Sequence, residues 1–154
     1  MARGEGGNYP GRVSRMKVFL YYIGKPKDPH ANALAADYIA RANRFTPSSM
    51  AEIRPDRTDL WSKHPTAKKI LLDPAGRTLD SSAFADLFAK GEMAGHDLVF
   101  AVGGHDGFTP EWSERADLLL SLSALTMPHE LARAVLAEQI YRAFTMLRGH
   151  PYPR

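Results

Sequence analysis

Residues 97–110 read Asp97-Leu98-Val99-Phe100-Ala101-Val102-Gly103-Gly104-His105-Asp106-Gly107-Phe108-Thr109-Pro110. The unbroken apolar run predicts a strand over Asp97–Val102, of the kind buried on both faces of a sheet. It passes straight into a cluster of glycines. Thr109 then offers an N-cap side chain, and Pro110 suits the first position of a helix. A strand that turns into a helix start is the unit from which parallel sheets are built, because parallel strands need a crossover.

Working outward, the same alternation recurs. Towards the amino end, Lys17–Gly24 predicts a first strand. Leu34, Tyr38, Ile39, Ala42 and Phe45 recur at helical spacing and predict an amphipathic helix that Pro47 ends. A short second strand is expected near Met50–Ile53. Arg54–Lys69 reads as loop with at most one helical turn, so one face of the sheet is expected to be thinly covered there. Lys69–Asp73 predicts a third strand, stopped by the turn Asp73-Pro74-Ala75-Gly76. Asp80 or Ser81 caps a helix whose Phe84, Leu87 and Phe88 share a face, with Gly91 and Gly95 as stops. Towards the carboxyl end, Leu118–Leu122 predicts a fifth strand. A long helix then starts at Pro128 and reaches about Arg148. Leu131, Val135, Leu136, Ile140, Phe144 and Leu147 are its expected buried face, and Glu138 and Arg142 form an i,i+4 pair. The fold class is therefore α/β: a parallel sheet with helices on both faces, in one domain over residues 16–154. Met1–Arg15 holds four glycines and little to bury, and reads as a disordered leader.

Composition narrows the chemistry. The chain has 154 residues, 44% apolar and 24% charged, and no cysteine. Disulfides, thiolate catalysis and cysteine-held metals are excluded, and a reducing, cytoplasmic setting is expected. No apolar run approaches the roughly 20 residues of a membrane span, and the first fifteen residues do not read as a secretory signal. The net charge is only +3. Arg133, Arg142, Arg148, Arg154, His129 and His150 nevertheless gather in the last third, as a phosphate-bearing partner would require; a solvated helix face accounts for the same charges.

Ligands of open α/β sheets bind beyond the carboxyl ends of the strands. Three such ends stand out: residues 72–76, residues 103–107 and residues 121–128. The glycine loop is neither a dinucleotide fingerprint nor a Walker loop, so it is read as a tight turn or as a place of close backbone approach. The last loop, with Leu122, Ala124, Leu125 and Met127, is unusually apolar for a surface connection. It packs on the final helix or a second subunit, or it forms a pocket for a flat apolar ring.

Ser121–His129 (S-L-S-A-L-T-M-P-H), Gly103–Gly107 and the ending E-Q-I-Y-R-A-F then H-P-Y (138–144, 150–152) resemble the bacterial 23S rRNA pseudouridine-N3 methyltransferases, the RlmH type of the SPOUT superfamily. The resemblance implies a trefoil knot at the carboxyl end, a homodimer, S-adenosylmethionine as methyl donor without a metal, and 23S rRNA of the ribosome as substrate. It implies a cofactor site of Leu72, Gly103, Gly104, Leu122, Ser123, Ala124, Leu125, Thr126, Met127 and Pro128. His129, Arg133, Arg142, Tyr152 and Arg154 are expected on the substrate side, Arg142 serving the partner subunit. Pro153 departs from the histidine that relatives usually carry there. The other readings are a tRNA methyltransferase of the same superfamily, a non-catalytic RNA- or ribosome-binding protein and a flavodoxin-like nucleotide binder.

Overall fold

Strands form where β-branched and aromatic residues run together, and helices where a capping side chain precedes apolar residues at helical spacing. The computed structural model describes residues 16–153; the expected leader and Arg154 lie outside the described residues. Along the chain come β1 (Val18–Ile23), α1 (Pro29–Ala42), β2 (Ser48–Ile53), α2 (Leu60–Lys63) and β3 (Lys68–Thr78). They are followed by α3 (Ser81–Ala94), β4 (Leu98–Val102), α4 (Pro110–Arg115), β5 (Leu118–Ser121) and α5 (His129–Arg148). Asp28 caps α1 by accepting from the N–H groups of His30 and Ala31 at 3.0 and 3.1 Å. Asp80, rather than Ser81, caps α3 through the N–H of Ala83 at 2.8 Å. Thr109 caps α4 through the N–H of Trp112.

The five strands are all parallel, in the order β2-β1-β4-β3-β5. Side chains alternate across the sheet. Val18, Leu20, Ile70, Leu98, Phe100 and Leu120 face one layer, made by α1, α3 and α5. There Phe88 of α3 stacks on Phe100 and meets Phe144 of α5 edge-on, with ring centroids 5.7 and 5.1 Å away. Tyr21, Leu71, Val99 and Ala101 face the other layer, covered only by the short α2 and α4 through Leu60 and Trp112. The thin cover expected after β2 is thus present, and Trp61 and Trp112, edge to face at 5.4 Å, supply bulk in place of a long helix.

Two expectations are corrected. Asp73-Pro74-Ala75-Gly76 does not end β3. Leu72 and Arg77 both pair with Leu120, so residues 73–76 bulge out of the ladder and the strand resumes to Thr78. Pro74 has no N–H to give a ladder, which is why the chain leaves it there; Asp73 steadies the excursion by accepting from the N–H of Ala75 at 2.8 Å. The buried face of α5 is also broader than expected and turned. Leu136, Ile140 and Phe144 are buried, but Leu131 is 46% exposed and Val135 and Leu147 only half-buried. Arg133, Ala134, Ala137, Tyr141, Ala143 and Thr145 are buried instead. A helix packed between two others over a sheet is enclosed on more than one side, so small and polar residues enter its contact arc.

Candidate functional site

β4, β3 and β5 are neighbours in the sheet, so the loops leaving their carboxyl ends meet. Between those loops lies a cavity of about 590 Å³, within the roughly 300–1,000 Å³ typical of small-molecule sites. Its wall is made by residues 72–74, 102–107 and 120–129, with Ala132 of α5. Leu72, Gly103, Gly104, Leu122, Ser123, Ala124, Leu125, Thr126, Met127 and Pro128 therefore share one wall, and His129 stands beside them.

The local chemistry explains the shapes of these loops. A Cβ at Gly103 would lie 3.0 Å from the backbone of Gly107, so the loop can fold back tightly only with glycine there. Gly107 donates its N–H to the carbonyl of Gly104 at 3.1 Å and closes the turn. The tight-turn and close-approach readings of these glycines both describe the same loop. After β5, Ser121 Oγ donates to the carbonyl of Ser123 at 3.0 Å, and Ser123 Oγ accepts from the N–H of Leu125 at 2.9 Å. The loop is thus held by its own serines, while Leu125 stays 78% exposed at the mouth. α5 begins beside the cavity with no side-chain cap among the described residues, which leaves the N–H groups of its first turn without a capping side chain there.

The expected substrate-side residues separate into three places. His129 lines the cavity. Arg133 does not: it is fully buried, its guanidinium 3.6 Å from the ring centroid of Tyr22 and hydrogen-bonded to Asn32 Oδ1. Its Nε and Nη2 have no hydrogen-bond partner among the described residues, and burial pushes its pKa down. Arg142 lies thirteen residues past His129 along α5, or about 20 Å at ~1.5 Å per residue, and Tyr152, in the tail beyond the helix, lies beside it. Both hold Glu138: Arg142 Nε and Nη2 donate to its Oε2 at 3.1 and 2.7 Å, and the Tyr152 hydroxyl at 2.8 Å. Burial first, then Tyr38 and Glu138, raise the pKa of Tyr152 far above its ordinary value, so its phenol keeps its proton. Arg154 lies outside the described residues.

Sequence reading missed how α5 is anchored beside the cavity. Glu130 Oε1 accepts from the N–H groups of Lys27 and Asp28 at 2.8 and 3.0 Å and from Asn32 Nδ2 at 2.7 Å. Glu130 in the first turn of a helix is favoured by the dipole, but its partners are a hundred residues away and no local pattern announces them. These bonds, with Arg133 behind them, hold its carboxyl at about 2, below the ordinary 4.5. A lowered folded-state value means a stabilising contribution present above about 4.5 and lost as pH falls towards about 2. Glu130→Gln is therefore less stable than wild type near neutrality, and the difference in melting temperature narrows on acidification below that upper value. A difference independent of pH would refute the assignment.

Among the described residues there is no group of three or more side chains suited to a metal, and no helix is long and apolar enough to cross a membrane. Residues 16–153 match the family model described as "Predicted SPOUT methyltransferase". The chain is 68% identical over 139 residues to the ribosomal RNA large subunit methyltransferase H of Solibacter usitatus, covering 90% of this chain and 100% of that one. It is 38% identical to the protein of the same name from Cereibacter sphaeroides ATCC 17029, covering 90% and 99%. Among solved structures, a probable methyltransferase from Bordetella pertussis superposes with a TM-score of 0.60 at 14% identity, over 84% of this chain and 95% of that one. A protein from Legionella pneumophila described as a methyltransferase, solved with bound cofactor SAM, superposes with a TM-score of 0.53 at 13% identity, over 86% and 68%. These two likenesses are of fold.

Proposed function

This chain belongs to the SPOUT methyltransferase family, and on that premise we propose that it methylates 23S rRNA of the large ribosomal subunit at N3 of a pseudouridine, with S-adenosylmethionine as donor. The observation that carries the reading is the shared wall: three strand-end loops, far apart in sequence, line one cavity of suitable size. The relatives at 68% and 38% identity bear the name of a large-subunit rRNA methyltransferase.

The residues present fit an adenosine-bearing sulfonium. Leu72, Leu122, Leu125 and Met127 offer apolar surface for a flat ring, and the glycines let backbone come close to it. The uncapped start of α5 offers N–H groups to ring acceptors. Asp73 and Asp106 on the same wall favour a cationic ligand. When bound, the donor supplies an already activated methyl group.

The chain's own residues have three tasks. The loops hold donor and acceptor in line, and alignment of that kind is worth ~7–11 kcal/mol of barrier. The acceptor nitrogen is an imide that must lose a proton, and His129, on the cavity wall, is assigned to receive it; a positioned base contributes about 10²–10⁴-fold. A cation must steady the developing imidate. Arg142 and Arg154 are assigned that role, with the neutral phenol of Tyr152 beside them on the substrate side, and because Arg142 lies about 20 Å along α5 from His129, it serves the cavity of a second copy. The working unit is accordingly a homodimer, acting in the cytoplasm where ribosomes are. The reading also includes the carboxyl-terminal trefoil knot, which puts the segment after β5 through the loops that bound the cavity.

Incubation with methyl-labelled S-adenosylmethionine and ribosomes lacking the modification is expected to place label at a pseudouridine of 23S rRNA. Label on tRNA instead would favour the tRNA-modifying reading. Absence of both labelling and donor binding by calorimetry would leave only an RNA-binding role.

A further inference from the structure

We infer that Glu138 is a positioning residue for methyl transfer, acting by orienting Arg142 and seating the carboxyl-terminal tail. The inference rests on the proposed reading, in which Arg142 and Tyr152 face the substrate. An exposed i,i+4 pair on a helix contributes little and needs no role beyond solvation. This pair is of another kind. The side chains of Arg142 and Glu138 are only 20% and 19% exposed.

Glu138 has its acceptor capacity committed within its own chain. Its Oε2 takes Arg142 Nε and Nη2 and the hydroxyl of Tyr152, while its Oε1 takes Gln139 Nε2 at 2.9 Å. A carboxylate so occupied is a poor candidate for accepting a substrate proton. It is well placed to fix the plane of a guanidinium, since paired N–H···O bonds define that plane. Arg142 Nη1 in turn donates to the carbonyl of Pro153 at 2.5 Å, and the Tyr152 ring lies 4.9 Å from the Arg142 carbon and edge-on to Tyr141 at 4.7 Å. One carboxylate thereby ties helix, guanidinium and tail into a single unit.

The arrangement also limits what Arg142 can recognise. Of the five N–H groups of a guanidinium, Nε, one on Nη2 and one on Nη1 are taken among the described residues. One N–H on each terminal nitrogen is left to point away from Glu138. Such a pair suits a planar acceptor bearing carbonyl oxygens, such as a pyrimidine imide whose charge develops on those oxygens.

The test compares Glu138→Ala, Glu138→Gln, Arg142→Ala and the double variant Glu138→Ala/Arg142→Ala in the full-length protein, with unmodified ribosomes and labelled S-adenosylmethionine. Glu138→Ala is expected to lower kcat about 100-fold, the scale of a roughly 1 Å misplacement, while donor Kd and ribosome KM stay within about threefold of wild type. Glu138→Gln, which keeps an acceptor for one partner, is expected to fall between the two and covers the case in which the alanine variant fails to fold. The double variant is expected to lose far less than the product of the two single effects, because Glu138 acts largely through Arg142 and only the seating of the tail is left for it to disturb. Unchanged kcat in Glu138→Ala, or effects that multiply in the double variant, would overturn the inference. If wild type methylates ribosomes and Arg142→Ala is fully active, the placing of Arg142 at the substrate fails. If wild type does not methylate ribosomes, the proposed function itself fails.

Discussion

Arg142→Ala is expected to lower kcat/KM for ribosome methylation by about 10²–10³-fold, the usual cost of removing one donor aimed at developing charge, with donor affinity unchanged. The guanidinium is outside the wall of its own cavity, so donor binding does not depend on it. Its pKa is raised by the hydrogen bonds to Glu138, which keeps it a permanent cation. The distance along α5 makes the effect testable in trans. In the proposed homodimer, co-expressed Arg142→Ala and His129→Ala chains are expected to form mixed dimers in which one of two composite sites is intact. Random pairing then restores about a quarter of wild-type activity in a two-fold symmetric dimer. If Arg142 served its own cavity, every site in the mixture would lack one residue and no activity would return.

Gly76→Ala carries the largest expected cost in stability. A Cβ there would lie 2.5 Å from the carbonyl oxygen of Leu119 and 2.8 Å from the nitrogen of Leu120. Both are backbone atoms of β5, so no side-chain rotation relieves the overlap. The strand must move, at about 3 kcal/mol by analogy with overpacked cores; for a domain of this size that lowers the melting temperature on the order of 10 °C. β5 leads directly into the loop of residues 122–128, so donor binding weakens with it. Gly95→Ala is the control: its Cβ would touch nothing within 4 Å, and only its positive φ of 75° is at issue, with an expected loss of about 1 kcal/mol. Equal losses in the two variants would show that the close approach to β5 is not what Gly76 provides.

Much of this architecture is legible locally. Asp80 and Thr109 announce their helices because capping is a contact of two or three residues' reach. Apolar runs announce the strands, and glycine marks the tight loop after β4. The bulge in β3 escapes such reading because Asp73-Pro74-Ala75-Gly76 is a turn sequence in isolation. Only the pairing of Leu72 and Arg77 with the same residue of β5 returns the chain to the ladder. Arg133 escapes it too. One turn from His129 on a basic helix, it looks like a substrate contact, yet Tyr22 and Asn32 enclose it from two other elements.

The amino-acid sequence by itself determined the α/β class, the element order and the three strand-end loops, since these follow from propensity, periodicity and capping within a few residues. The tertiary structure alone decided that β3 lies between β4 and β5 and so brings those loops to one cavity. It alone decided that Glu130 is bonded to the β1–α1 loop, and that Arg142, at a distance from His129, shares Glu138 with Tyr152. The physical reason is that a parallel ladder is made by backbone groups every residue shares. Strands apolar on both faces therefore carry no label for their neighbours, and partners remote in the chain are selected only when the whole core packs.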